Sequence, residues 1–331
     1  MFGSIGRGLL PVVLTMSVTV LFAMVWRSVG EDSSFAAAER DGVRYIRALV
    51  PLEIALADAG SAVVGGEPVA AGTLTGPMEA VAAVDRELGA ALGSQDRWNG
   101  LRAEIQKLPT TGTDEKTMAE YGTANDLLLA LIEKVRNSSQ LIRDPEADVY
   151  YLQDGAAQEL PESIIAAARY TDLLVSTGGR ADALIDINAA ASDLRSNAQD
   201  LSDDVRLAVE GSGGENLGGA LLTKMDRFNQ SVDGALALLG AERVDTAQVV
   251  KARAETRAAA ADLAEAILAQ IDIALEDRLS SLATTRMLAS AAYAVAVLLA
   301  LVPAILGLVD CRRRQPVPAV RIEREYAGVS R

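Results

Sequence analysis

The stretch NSSQLIRDPEADVYYLQDGAAQELPESIIAAAR, residues 137–169, marks a boundary between two helices. Within it, Asp144 is a residue type that caps helix starts, and Pro145 suits the first turn of a helix. Glu146 and Asp148 place carboxylates at the positive end of the helix dipole. The pattern predicts that one helix ends before Asp144 and that the next begins there.

Apolar residues recur at helical spacing on both sides of this stretch, and clusters of Gly, Pro and Ser separate the periodic segments. The helix that begins at Asp144 carries Gly155 and Pro161 inside its pattern, so we expect a kink near Pro161. No alternating run indicates a strand, and no Asn-Gly or Asp-Gly turn separates two such runs. The predicted helices cover residues 33–64, 78–92, 95–107 with Ser94 as its cap, 113–143, 144–177, 180–209, 217–239 and 245 onward, without a breaker before Pro303.

Three of these helices carry a clear apolar stripe. The stripes are Phe35, Gly42, Leu49, Leu56 and Val63 in the first helix; Leu128, Leu131, Ile132, Val135 and Ile142 in the helix before Asp144; and Val250, Ala254, Arg257, Ala261, Ala264, Leu268, Ile271, Leu275 and Leu282 in the last. We therefore expect an all-α fold, an extended up-down helical bundle. Its helices are too numerous for one four-helix layer, which favours two stacked four-helix-type modules.

Two uncharged apolar segments flank the bundle, and each is long enough to cross a bilayer, which needs about 20 residues. Arg312, Arg313 and Arg314 follow the second segment, whereas Glu31 and Asp32 follow the first, so both chain ends are expected in the cytoplasm. The predicted order is a cytoplasmic N-terminus over 1–8, a transmembrane helix over 9–27, an extracytoplasmic helical domain over 31–285, a second transmembrane helix over 287–309 and a short basic cytoplasmic tail over 310–331.

Composition restricts the chemistry. The formal net charge of −14 disfavours nucleic acid as a partner. The chain has no histidine, and its single cysteine, Cys311, falls beside the second apolar segment. Neither a thiolate or imidazole metal site nor a Ser-His or Cys-His nucleophile pair can be built in the region between the spans. We expect no cofactor, no metal and no enzymatic activity.

Arginines are the best candidates for ligand contact. Arg40, Arg44 and Arg47 are spaced so that one helix face presents three guanidinium groups, which bind carboxylates bidentately. A solvated face is the alternative. Arg257 lies in the apolar stripe of the last helix, with Arg253 one turn earlier, so it must find a carboxylate. That carboxylate belongs either to the protein or to a bound ligand.

The residues around Asp144, with Tyr150 and Tyr151 before Leu152, resemble a segment common in extracytoplasmic all-helical sensor domains of bacterial chemoreceptors and sensor kinases. A helical region between two spans is also similar in layout to the helical bimodular sensor domains and, more loosely, to four-helix-bundle domains. The resemblance covers residues 9–310 in layout and 136–174 in recognisable residues. It implies a bacterial inner-membrane protein of chemotaxis or related signal transduction, with residues 31–285 in the periplasm.

In the helical bimodular family, small carboxylates bind through arginines of the first and last helices. The resemblance therefore implies ligand-binding roles for Arg44, Arg47, Arg253 and Arg257. It predicts a receptor or sensor subunit that detects a small extracytoplasmic ligand, an organic acid, and passes a conformational signal through the second transmembrane helix. The alternative is a structural or adaptor protein whose bundle docks another membrane or periplasmic protein.

Two further expectations concern partners. Leu268, Leu275 and Leu282 repeat by sevens with Ile271 between them, which predicts packing against the first helix and also against a second copy in a homodimer. Residues 311–331 lack the signalling part of such receptors. The chain is thus expected to be either a receptor cut off after its second span or a separate subunit that acts on a cytoplasmic or membrane signalling partner.

Overall fold

A computed structural model describes residues 5–113, 115–212, 215–240 and 244–313, and within these ranges the chain is helical and has no strand. The predicted all-α class is therefore confirmed. The helices are α1 (Ile5–Val64), α2 (Thr75–Leu92), α3 (Gln95–Ile105), α4 (Glu115–Ser138), α5 (Ala147–Asp154), a π-helical turn (Gly155–Glu159), α6 (Leu160–Thr177), α7 (Leu184–Gly211), α8 (Glu215–Leu236) and α9 (Thr246–Arg313), with 3₁₀ turns at Ala181–Ala183 and Ala237–Gly240. Residues 1–4 and most of the predicted tail, including Arg314, lie outside the described residues.

The chain divides into two units, which we call the helical unit (residues 33–280) and the terminal unit (residues 1–32 and 281–331). In the terminal unit, the Phe22 and Tyr293 rings stack with their centroids 4.4 Å apart, and the Thr19 and Tyr293 hydroxyls are 3.1 Å apart. The Arg286 guanidinium lies 4.3 Å from the centre of the Trp26 ring. α1 and α9 are both long and apolar enough to cross a membrane.

The helical unit buries one apolar cluster to which every α-helix in residues 33–280 contributes. In α1 the seven-residue stripe is confirmed except at Phe35, which is only half-buried: Leu49, Leu56 and Val63 are buried, and Gly42 lies where a Cβ atom would come within 2.2 Å of Ser139 Oγ. Glycine thus lets α1 and the end of α4 approach closely. Leu128, Leu131, Ile132 and Val135 of α4 are at most 2 % exposed, as expected of its stripe.

α4 ends at Ser138, five residues earlier than predicted. Gln140 adopts a positive φ of 65°, a conformation that an α-helix cannot contain. This turn buries Leu141 and leaves Ile142, a predicted stripe residue, only half-buried. The prediction for Ile142 was wrong because the sequence pattern does not show where the backbone leaves the helix.

Two predicted caps also differ. Asp144 accepts a hydrogen bond from the Glu146 backbone N–H at 2.8 Å, but α5 begins only at Ala147, so Asp144 lies before the cap position. The Ser94 side chain makes no cap hydrogen bond to α3. Its buried hydroxyl donates to Asp85 Oδ1 at 2.8 Å instead, because a buried carboxylate needs donors more than a helix end that water can reach.

A kink was expected near Pro161, and the structure has a π-helical turn over Gly155–Glu159, which ends two residues before this proline. Proline has no N–H to donate to the carbonyl four residues earlier, so the ordinary hydrogen-bond ladder is already interrupted there. The extra residue of a π-helical turn therefore costs less free energy here than in an uninterrupted α-helix. α6 then ends at Thr177, as predicted, and Gly178 follows in the left-handed conformation.

The predicted stripe of α9 is right in its second half and wrong in its first. Leu268, Ile271 and Leu275 are buried, whereas Val250 is 52 % exposed. A seven-residue repeat drifts by about 20° per heptad on a straight helix, so positions in phase near Ile271 have rotated outward three heptads earlier. Arg257 is consequently exposed rather than core-facing. Leu268 and Leu275 pack in the core of the chain itself.

Candidate functional site

Arg253 and Arg257 of α9, two of the four arginines named from the sequence, line the same cavity. Arg253 is largely buried; its Nη2 donates to Asp172 Oδ1 at 2.5 Å and its Nε to Thr171 Oγ1 at 3.1 Å. Arg257 pairs with Asp58 of α1. The two guanidinium groups therefore link α9 to α6 and to α1.

The cavity between these helices has a volume of about 30 Å³, room for a water molecule but for no large ligand. Polar atoms come from both arginines, Asp58 and three hydroxyl residues, and the rest of the lining is apolar. The lining consists of Ile54, Ala57, Asp58, Ser61, Ile164, Ala167, Ala168, Thr171, Ala235, Arg253, Thr256, Arg257 and Ala260. A carboxylate ligand could enter only if some of these side chains moved.

Asp172 gives this site a pH dependence. Burial raises the pKa of its carboxyl to about 6, although the nearby Arg253 guanidinium lowers it. Below that pH the carboxyl becomes neutral and loses most of its attraction for Arg253. Mild acid therefore makes the Arg253 guanidinium available to another anion.

Arg44 and Arg47 do not join this cavity. Arg44 donates to both carboxylate oxygens of Glu87 in α2 at 2.9 Å, and it also lies 3.5 Å from Asp41. Arg47 Nη1 lies 2.6 Å from Asp272 Oδ2 in α9. The structure thus separates the four predicted ligand arginines into three places and supplies each with a carboxylate of the chain.

A more deeply buried ionic group went unpredicted, and we call it the Arg278 cluster: Glu39, Asp144, Glu146, Gln153 and Arg278. Arg278 donates to both oxygens of Asp144 at 2.8 and 2.7 Å and lies 3.0 Å from Glu146 and 3.4 Å from Glu39. Gln153 donates to Glu39 at 3.0 Å. The sequence had one usable signal, since Arg278 follows Arg257 by three heptads on the same stripe.

The cluster holds two buried carboxylates against one guanidinium. The Glu39 and Asp144 side chains are 0 % exposed. Burial raises the pKa of Glu39 to about 8, and nearby Asp144 adds to this, while Gln153 and Arg278 oppose it. Glu39 is therefore mainly protonated at neutral pH, which leaves Arg278 and Asp144 as the principal ion pair.

Glu53 is another buried acid that pattern reasoning did not reveal. It lies on α1, is fully buried, and neither carboxyl oxygen has a hydrogen-bond partner among the described residues. Burial raises its pKa to about 8. Glu53 is thus mainly neutral at pH 7, as a carboxyl without a counter-ion must be in an apolar core.

Comparison with known proteins adds no assignment: no family model, curated protein or solved structure matches this chain.

Proposed function

We propose that the chain is a membrane-anchored receptor or sensor subunit that binds a small organic acid through Arg253 and Arg257. The observation that carries this proposal is their position: both line one cavity, and both lie on α9, the helix that also contains the second candidate span. A carboxylate that replaced Asp172 or Asp58 as their partner would change how α9 contacts α6 and α1. Such a change is a signal that a continuous helix can carry.

The remaining architecture is part of the same proposal. We place the chain in a bacterial inner membrane, with both termini in the cytoplasm and residues 31–285 outside, and with its helices in two modules of a sensor bundle. α2, α3 and α4 contact one another, and α7 contacts α5, α6 and α8, which favours two groups of helices joined where α4 meets α6 and the π-helical turn. A homodimer and a cytoplasmic or membrane signalling partner complete the proposal. Light scattering on the purified chain tests the dimer, whose interface must lie elsewhere than the buried Leu268 and Leu275.

The ligand is tested by thermal unfolding of the full-length chain in detergent with formate, acetate, propionate and succinate, at pH 5.5 and 7.5. A bound carboxylate at a hundred times its dissociation constant stabilises the folded protein by about 2.7 kcal/mol. We expect tighter binding at pH 5.5, because Asp172 is then largely neutral. Arg257→Gln should abolish the stabilisation, and Arg44→Gln, the matched control at the ion pair with Glu87 of α2, should retain it. Equal stabilisation of both variants would refute the site.

A docking or adaptor function is the second candidate. It is favoured by the finding that Arg44, Arg47, Arg253 and Arg257 each have a carboxylate partner within the chain. Arginines already satisfied in this way stabilise a bundle without any ligand. A membrane or periplasmic protein that co-purifies stoichiometrically, together with no thermal response to any of the four acids, would select this function.

A further inference from the structure

A larger cavity lies between α4, the π-helical turn and α6. Its volume is about 300 Å³, ten times that of the cavity at Arg253 and Arg257, and reaches the range of small-molecule sites. Leu129, Ile132 and Pro161 supply apolar walls, while Arg136 and Gln158 supply polar groups. The space suffices for a ligand the size of an amino acid.

Arg136 is the arginine of this cavity, and its environment differs from that of the four predicted ligand arginines. Its Nη1 donates to the side-chain oxygen of Gln158 in the π-helical turn. Its Nε is buried and has no hydrogen-bond partner, and no carboxylate oxygen of the described residues lies within 4.0 Å of the guanidinium. A guanidinium that has no carboxylate partner in the chain is available to the anionic group of a ligand.

The same cavity carries three carboxylates, from Asp126, Glu133 and Glu162. Burial raises the pKa of Glu162, and Arg136 only partly offsets this. Asp154, just before the π-helical turn, has a raised pKa for the same reason. One guanidinium is thus outnumbered by acids, so a simple anion would be repelled, whereas a ligand that also carries a positive charge would be attracted.

We propose that this cavity binds a small zwitterion of the α-amino acid class. Its carboxylate pairs with the Arg136 guanidinium, and its ammonium group lies among the carboxylates that line the cavity, with Glu162 as the half-buried partner. The π-helical turn contributes because it places Gln158 beside Arg136, where the amide holds the guanidinium in the cavity. This site is separate from the carboxylate site at Arg253 and Arg257 and does not depend on it.

The test uses the full-length chain in detergent and isothermal titration with matched sets of compounds. Each set contains an α-amino acid, the amine that lacks its carboxylate and the acid that lacks its ammonium group; alanine, ethylamine and propionate form the smallest set, and the glutamine and lysine sets extend it. We expect at least one amino acid to bind at least tenfold more tightly than its amine and its acid. The titrations use Arg257→Gln protein, so that the acids cannot bind at the Arg253 and Arg257 site. Absence of binding by every amino acid, or equal binding by the acid alone, would overturn the proposal.

Variants locate the site. Arg136→Gln should weaken binding at least tenfold, and Ala130→Phe should block the cavity without removing a charge. Arg227→Gln, at an exposed ion pair with Asp262, is the matched control and should bind normally. Arg257→Gln should also bind normally, which separates this site from the proposed carboxylate site. Full affinity in Arg136→Gln or Ala130→Phe protein with unchanged circular dichroism would refute the assignment.

Discussion

Glu53 shows how far a single residue can depart from its usual state in a helical core. Its carboxyl is fully buried without a partner among the described residues, and its pKa is raised to about 8. Because that value exceeds the ordinary 4.5, the folded protein binds a proton that the unfolded chain has released between these two pH values. Glu53 therefore contributes stability that is present at low pH and is lost as the pH rises toward 8.

Glu53→Met should remove the loss of folding stability that accompanies ionisation of Glu53 as the pH rises toward 8. We expect the free energy of unfolding at pH 8 to rise by about 1–3 kcal/mol, since an apolar side chain of similar size needs no hydrogen bond. Between pH 5 and 8, the dependence of stability on pH should flatten by up to about 1.4 kcal/mol per unit. Chemical denaturation of the full-length chain at several pH values measures both. The exposed Glu210→Met is the control, and an unchanged pH dependence in Glu53→Met would contradict this account of the core.

Among the helices, the Arg278 cluster is the contact that ties the segment after α4 to α9. The loop places Asp144 and Glu146 on Arg278, and Gln153 of α5 joins Glu39 of α1 to the same group. The stretch 137–169, which the sequence marks as a helix boundary, therefore also holds α9 through ion pairs with Arg278. Its acidic residues bind a distant arginine rather than only the start of α5.

Removal of the Arg278 guanidinium should lower the free energy of unfolding substantially. Arg278→Ala leaves Asp144 buried without a counter-ion, and we expect a loss of about 3–5 kcal/mol at pH 7. Glu39→Gln should cost less than about 1 kcal/mol, because Glu39 is already mainly neutral at that pH. Chemical denaturation compares the two. A Glu39→Gln variant as unstable as Arg278→Ala would mean that Glu39 is ionised and that the charge assignment is wrong.

The helices also show which sequence signals are reliable. The α1 stripe at Leu49, Leu56 and Val63 was predicted correctly because these residues span only two heptads, over which the drift is small. The stripe of α9 failed at Val250 and Arg257 because the neighbouring residues Val249, Ala252 and Thr256 face the core in this part of the helix. The ionic partners, such as Arg278 with Asp144, could not be predicted, since they depend on which helix faces lie opposite each other across 134 residues of sequence.

At the scale of the whole chain, the proposed topology rests on the charges that flank the two apolar segments. The acidic pair Glu31 and Asp32 follows the first segment, and the basic run that begins at Arg312 follows the second. Alkaline phosphatase, which is active only outside the cytoplasm, should therefore be active when fused after Gly213 and inactive when fused after Arg331. The reverse pattern of activities would invert the topology and place the helical unit in the cytoplasm.

The central claim is that a carboxylate bound at Arg253 and Arg257 changes the position of α9. Spin labels at Ile273 of α9 and Ile185 of α7, both exposed, allow pulsed electron resonance to measure the distance between these helices in a chain whose Cys311 is replaced by serine. We expect acetate or succinate, whichever stabilises the protein more, to shift the distance distribution in the wild-type background but not with Arg257→Gln. Identical distributions with and without a saturating acid would contradict the proposed sensor.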